Sequence, residues 1–425
     1  MVGMHGTARV ISDSRRPASH RAWWPAGLAV VAAGWGAQQF TPLLLMYQAR
    51  LHLSATTVQA VFGLYVAGLI PGLLLGGPVS DRFGRRRVMV PVLGLSVVAT
   101  ALLVLGGGSV GPLYAGRLLT GVAGGAAFSA GAAWIKELSA LGPSGGAGHA
   151  PRRLTVAMSA GFGLGPLVAG VLAQWAPAPA ALPYVPHLAL AAAALVAVLR
   201  AAETRPGDRS PASRGPSGPR GPRLPELRER RFRLVVVPLA PWVFGSASVA
   251  LAYLPEVVRP RLGGHALVFS AVVILLTAFA GILAQPLARR MDGAPVRLLA
   301  TSLSLVVGGL LVAALAAAVV RPSLVVVAAL VLGAGYGCCQ VYGLSEVQRM
   351  ARPEHLAGLT AAYQAVSYIG LALPFPLAAA GHLASPGVLL LVVAGLAALT
   401  LAWTAPRARP GTSAGRRRAG RRPRG

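Results

Sequence analysis

Carboxylates are scarce in this sequence. Eleven acidic residues stand among 425: Asp13, Asp81, Glu137, Glu203, Asp208, Glu226, Glu229, Glu256, Asp292, Glu346 and Glu354. They form no paired acid–base set, and neither a nucleophile motif nor a phosphate-binding glycine loop accompanies them. Enzyme chemistry and an ATP-driven step are both disfavoured. Lysine is rarer still, with Lys136 alone, so the basic charge is otherwise arginine. The two cysteines, Cys338 and Cys339, are adjacent in an apolar run, which excludes a disulfide framework and metal-ligand spacing and leaves them as packing residues. No metal or other cofactor is expected. Charged residues make up only 12% of the chain, against about 25% in ordinary globular domains.

What fills the chain instead is apolar sequence, 55% of it, with a formal net charge of +28. Such a charge raises the question of nucleic acid, and its location answers it. The arginines lie in loops and tails without the interleaved aromatics of a single-strand binder, so the expected partner is an anionic membrane surface. Twelve apolar runs are long enough, at roughly 20 residues, to cross hydrocarbon. They divide the chain into an N-terminal tail over 1–24, six spans over 25–200, a linker over 201–233 rich in Arg, Pro, Gly and Ser, six more spans over 234–405, and an arginine-rich tail over 406–425. The linker and the last tail read as largely disordered. The basic N-terminus followed by an apolar run has the outline of a signal peptide, but the run is too long and is followed by many others, so it reads as a retained first span. With both termini inside, 34 of the 39 basic residues fall on the cytoplasmic side and four, Arg50, Arg259, Arg261 and Arg321, on the other. That bias sets the expected topology in a cytoplasmic, or inner, membrane. The expected fold is therefore all-α, twelve membrane helices in two bundles of six.

The loop between the second and third spans, about 58–78 and 88–107, reads GGPVSDRFGRRRVMV. One carboxylate, Asp81, stands among Arg82, Arg85, Arg86 and Arg87, and Gly77 and Gly84 allow a sharp turn. The stretch resembles the first signature of the major facilitator superfamily, G-x-L-A-D-R-x-G-R-R, with Gly77, Asp81, Arg82, Gly84, Arg85 and Arg86 in place, Val79 for Leu and Ser80 for Ala. The resemblance implies a switch loop whose aspartate latches onto the start of the eleventh helix, here Glu354 to Ala357. In the fourth span Arg117, followed by Gly121, resembles the family's second motif. An arginine there either faces a cavity or partner or snorkels to the interface. In the fifth span Gly161, Gly165, Pro166 and Gly170 resemble a third motif associated with exporters that exchange substrate for protons, with Ala169 where glycine is usual. Small residues four apart and a helix-bending proline also serve plain packing. Glu203 and Thr204 resemble a short acidic signature found after the sixth span, and the loop at Arg289 to Gly293 looks like a degenerate copy of the Asp81 turn.

Carriers of this kind bind near the midplane between their halves. The polar and aromatic side chains expected there are Trp35, Gln38 and Gln39 in the first span, Arg117 in the fourth, Trp242 in the seventh, Tyr336 and Gln340 in the tenth, and Gln364 and Tyr368 in the eleventh. Each is open to a second reading as interhelical glue. No carboxylate falls at mid-membrane, so proton coupling would use Glu137, Glu256, Glu346 or Asp81 in a partly buried setting, or be absent. His187 and His265 read as interfacial. A cavity without negative charge favours neutral, amphipathic or weakly anionic small molecules. The functional expectation is a monomeric secondary transporter, with export favoured. Uptake of a metabolite or inorganic anion, and a transporter-like receptor or scaffold, are the alternatives.

Overall fold

The computed structural model describes residues 22–140, 149–204 and 224–408. Twelve helices among them are long and apolar enough to cross a membrane. The first six are α1 (Trp24–Arg50), α2 (Ala55–Phe83), α3 (Arg85–Leu105), α4 (Val110–Ala140), α5 (Ala150–Trp175) and α6 (Leu182–Leu199). The second six are α7 (Phe232–Val257), α8 (Ala266–Arg290), α9 (Pro295–Val319), α10 (Pro322–Met350), α11 (Leu356–His382) and α12 (Pro386–Arg407). No strand occurs among the described residues. The chain is a multi-pass membrane protein.

Local chemistry explains where the helices start and break. Ser54 and Ser385 cap α2 and α12, accepting from the backbone N–H of Thr57 and Val388. Pro42 and Pro374 lack a backbone donor, and next to them α1 and α11 tighten into 3₁₀ turns at Thr41–Leu43 and Gly370–Ala372. In α7 the hydrogen bonding loosens to a π turn over Val249–Tyr253. The helices also extend beyond the apolar runs. α2 continues to Phe83 and α10 to Met350, because an arginine at a helix end can remain helical while its charge reaches polar surroundings.

The helices assort into α1–α6 and α7–α12, each around its own apolar core. Met89, Leu93, Leu103, Trp134 and Tyr184 fill the first; Leu298, Leu303, Leu332, Tyr342 and Leu390 fill the second. Packing repeats between the halves: α2 lies on α4 as α8 lies on α10. Both contacts are backbone-close. A Cβ on Gly121 of α4 would fall 2.1 Å from the Tyr65 carbonyl oxygen of α2, and one on Gly337 of α10 would fall 2.2 Å from the Gly281 carbonyl oxygen of α8. The halves meet through α5 against α8 and α2 against α11.

The connection between the halves differs from its sequence reading. Residues 205–223 lie outside the described residues, as do the arginines of 1–21 and 409–425 and residues 141–148. Residues 224–231, expected to be loose, are packed. Pro225–Arg228 forms a 3₁₀ turn that buries Glu226, and the Leu224 side chain lies against Gly358 of α11. A buried carboxylate needs a partner, and Glu226 has one in His355, Nδ1 to Oε1 2.8 Å.

Candidate functional site

One end of the bundle carries the Asp81 loop; the other carries Arg50, Glu256 and Arg259. At the first end α2 gives way to α3 at Gly84, whose φ of 104° and ψ of 147° suit glycine alone. That turn swings the Arg85 side chain inward, where it is 3% exposed. Its guanidinium donates to Asp81 Oδ1, Ser80 Oγ and Glu137 of α4, the last at 2.8 Å from Nη2. Glu203, past the end of α6, accepts from the backbone N–H groups of Arg85 and Arg86 at 2.8 and 3.0 Å. A carboxylate is thereby set on the first turn of α3, where unsatisfied donors and the helix dipole favour it. Thr204 donates to Glu137, closing the set. The residues of the Asp81 loop and the acidic signature after α6 are thus one network joining α2, α3, α4 and α6. Gly77 lies against Ser129 of α4.

The second half repeats the arrangement with other residues. Glu346 of α10, 0% exposed, accepts from Arg231 and Arg349 at 2.6 Å each, and Arg349 also pairs with Asp292 in the α8–α9 loop. The loop that looked like a mere echo therefore has its own ion-pair network. Sequence spacing hid it because Arg231, Asp292 and Glu346 lie far apart in the chain.

Arg117 does not snorkel. It is 1% exposed inside the first half, donating to the carbonyls of Ala37 and Phe62 at 3.0 and 3.4 Å, with its guanidinium over the rings of Phe40, Phe62 and Tyr65. Carbonyl dipoles and ring faces supply the negative potential that a carboxylate otherwise would. It thereby ties α1, α2 and α4 together. Gln39 is also turned inward, 0% exposed, donating to Thr100, which bonds His187 in turn. His187, expected at an interface, is buried there. Gln38 is half-buried and accepts from Thr41 at the break in α1. Trp242 donates to Thr400 of α12 at 3.0 Å. Arg117, Gln39 and Trp242 are each held by a hydrogen-bonding partner on a neighbouring helix.

An aromatic row joins α7, α10 and α11. Phe244 of α7 stacks on Tyr368 of α11, centroids 4.3 Å apart and planes 10° apart, and its other neighbour is Tyr336 of α10 at 5.5 Å. Gln340 and Gln364 lie one helical turn from Tyr336 and Tyr368, each with a buried side-chain oxygen lacking a partner, and Trp35 of α1 has an unpartnered buried Nε1. Phe244 and Tyr65 were not singled out from sequence. A phenylalanine in an apolar run carries no signal until its neighbours are known.

Gly161 and Gly165 of α5 lie against the α1 backbone at Val31 to Trp35, while Gly170 meets Leu267 and Ala271 of α8. Buried Pro166 sits between these two contacts. The bend motif thus brings α5 against α1 within its half and against α8 across the halves.

The two ends differ. At the Glu256 end, five side-chain hydrogen bonds among the described residues join the halves. Glu256 of α7 accepts from Gln48 of α1 at 2.8 Å and Gln59 of α2 at 3.2 Å, and Gln59 also donates to the Ala252 carbonyl. Gln174 of α5 donates to the Gly264 carbonyl at 2.6 Å, and Arg259 donates to Gln48. Toward the Asp81 end Leu75, Val79 and Phe83 of α2 line an apolar groove with Pro91 and Val92 of α3 and Val122 and Ala126 of α4, within the first half.

The sequence profile of the Major Facilitator Superfamily matches residues 26–375, while no curated protein matches the chain. Among solved structures, the peptide transporter POT superposes with a TM-score of 0.73 at 14% identity, covering 91% of this chain and 95% of its own. The nucleoside transporter NupG superposes at 0.70 with 11% identity, over 92% of this chain and 100% of its own. A POT family transporter in complex with 5-aminolevulinic acid superposes at 0.69 with 11% identity, over 92% and 96%. With the profile spanning most of the chain, and the repeated halves and the Asp81 loop in place, the protein belongs to the Major Facilitator Superfamily of membrane carriers.

Proposed function

We propose that the protein moves a small molecule across the cytoplasmic membrane by alternating access, exporting it in exchange for protons, as a monomer with both termini cytoplasmic. The observation that carries this reading is the clasp at one end, where Glu256 of the second half accepts from Gln48 and Gln59 of the first. Carriers of this kind rock their halves about a central site, and such a clasp holds one side closed. The excess of arginine around the Asp81 loop favours placing that end in the cytoplasm, which makes the clasped face the outer one. The likeness of Gly161, Gly165, Pro166 and Gly170 to the exporter motif supports the direction. The similar structures include carriers of nucleosides and peptides, which supports a small polar organic substrate.

Within this reading the Asp81 network makes the cytoplasmic ends of α2, α3 and α4 one rigid piece. When the inner side closes, that piece approaches the start of α11, where Asp81 is favoured by the helix N-terminus by about 0.3–1 kcal/mol. Asp81→Asn keeps the volume and loses the charge. In everted vesicles, wild-type protein should collapse an imposed pH gradient when substrate is added, and Asp81→Asn should do so several-fold more slowly at equal expression. Wild-type rates in the variant would remove the latch. Substrate movement with no gradient response would remove proton exchange.

A further inference from the structure

The groove beside the Asp81 loop exists because α2 and α3 both lie on α4 and pack on each other far less. Gly72 and Gly76 bring the α2 backbone down onto α4 at Val122 and Ala126, so α4 supplies a floor. Leu75, Val79 and Phe83 form one wall, Pro91 and Val92 the other, and the space between them is about 510 Å³. At 1.5 Å per residue the stretch of α2 from Pro71 to Phe83 is about 18 Å long. A bilayer has roughly 30 Å of hydrocarbon, so the groove is about one leaflet deep.

The mouth is cationic, and no acidic residue lines the groove. Of the four arginines beside Asp81, Arg85 is buried on Asp81 and Glu137, and Arg86 donates to the carbonyls of Leu199 and Ala201. Arg87 lines the groove and is exposed, with no ion pair or hydrogen bond among the described residues. Arg82, also exposed, stands over the Phe83 ring, 5.2 Å from its centroid. Asp81 is two positions from both Val79 and Phe83, about 200° around the helix from each, and so belongs to the opposite face of α2.

An occupant has to be slim, apolar along its length and negative at one end. A second helix, about 10 Å across, would need roughly 1,400 Å³ over this length, far more than the groove holds. An acyl chain is slimmer, spans the same single leaflet and carries its phosphate to the level of Arg87. Burying the chain selects little by itself, because lipid surrounds the helices on every side. Charge at the mouth decides. Going beyond the carrier reading and resting only on the chain's place in a membrane, we infer that the groove holds one anionic phospholipid of the leaflet at the Asp81 end, its acyl chain along α2 and α3 and its phosphate on Arg87.

The probe is phosphatidylglycerol with a diazirine on one acyl chain, photolysed in nanodiscs around the full chain, with phosphatidylcholine bearing the same chain for comparison. Peptide mapping should find about fivefold or more label from phosphatidylglycerol on residues 71–92, the ratio expected for one arginine near an anionic headgroup. Arg87→Gln should reduce that label about fivefold, to the phosphatidylcholine level. Val79→Trp fills the groove and should lower the label from both lipids. Arg290→Gln, at the corresponding end of α8 and outside the groove, should change neither. Soluble glycerol phosphate, the headgroup without chains, should displace no label. Equal labelling by the two lipids, or unchanged labelling in Arg87→Gln or Val79→Trp proteins that melt with the wild type, would overturn the inference. So would an equal loss in Arg290→Gln or displacement by glycerol phosphate. Substrate flux plays no part in this readout, so the failure of the lipid site and the failure of the carrier reading are told apart.

Discussion

At the scale of single residues, buried charge in this protein is handled by pairing, and Glu226 shows what that pairing does. Its side chain is 2% exposed, and the hydrogen bond from His355 holds its carboxyl below the ordinary value of 4.5, against the opposing effect of burial. A carboxyl depressed on folding adds stability above its unfolded value and loses it as pH falls through the folded one. The difference in melting temperature between the wild type and Glu226→Gln should therefore be open at pH 7 and close as pH drops below about 4.5. A gap that stays constant across that window would mean the bond with His355 does not carry the charge of Glu226. Sequence reading placed this residue in a loose linker because Arg, Pro and Gly dominate the stretch; the partner of its carboxyl, His355, lies 129 positions away. Asp81 was legible for the opposite reason. Its partner Arg85 is four residues on, within the family-like motif that conveyed an ordered loop, though not that Glu137, Glu203 and Thr204 complete it.

At the scale of helices, the tightest contact of the first half is α2 on α4, where Gly68, Gly72 and Gly76 face the backbone of α4 and Gly121 and Gly125 face that of α2. Without a hydrophobic gain from leaving lipid, such helices associate through close packing, which small residues four apart allow. Gly121→Val sets carbon where the Tyr65 carbonyl already stands, at 2.1 Å, so one helix must move. We expect a loss of about 1–3 kcal/mol, read as a lowered melting temperature in detergent. Gly94→Ala, which meets nothing within 4 Å on α3, should stay within about 0.5 kcal/mol of the wild type. Equal losses in both would mean the cost lies in helix propensity and not in the contact. The existence of the twelve helices was readable because each needs a long apolar run. Which helix faces a glycine seam was readable only for α4 and α5, where family-like motifs marked it. The breaks in α1 and α7 needed neighbours, since Pro42 could equally have started a loop.

For the whole molecule, the question is what holds one end shut. Glu256 accepts from two glutamines of the opposite half, Gln48 and Gln59. The sequence showed the glutamate near a helix end but gave no cue that two amides from α1 and α2 would meet it. Hydrogen bonds to a charged group contribute about 1.5–3 kcal/mol each, so weakening this clasp should move the balance between the two openings by tenfold or more. Glu256→Gln keeps the shape and removes the charge. A reporter is at hand in Ala252, 4% exposed beside the clasp, whose carbonyl accepts from Gln59 and whose side chain is a small member of the buried core. In an Ala252→Cys background with Cys338 and Cys339 replaced by alanine, labelling by a membrane-impermeant thiol reagent should be slow with Glu256 present. It should quicken about tenfold in Glu256→Gln. An unchanged rate, with the variant folded and inserted, would mean the clasp does not set the balance. The weight would then pass to the α5–α8 contact at Gly170 and Ala271, which closes the same end by packing alone.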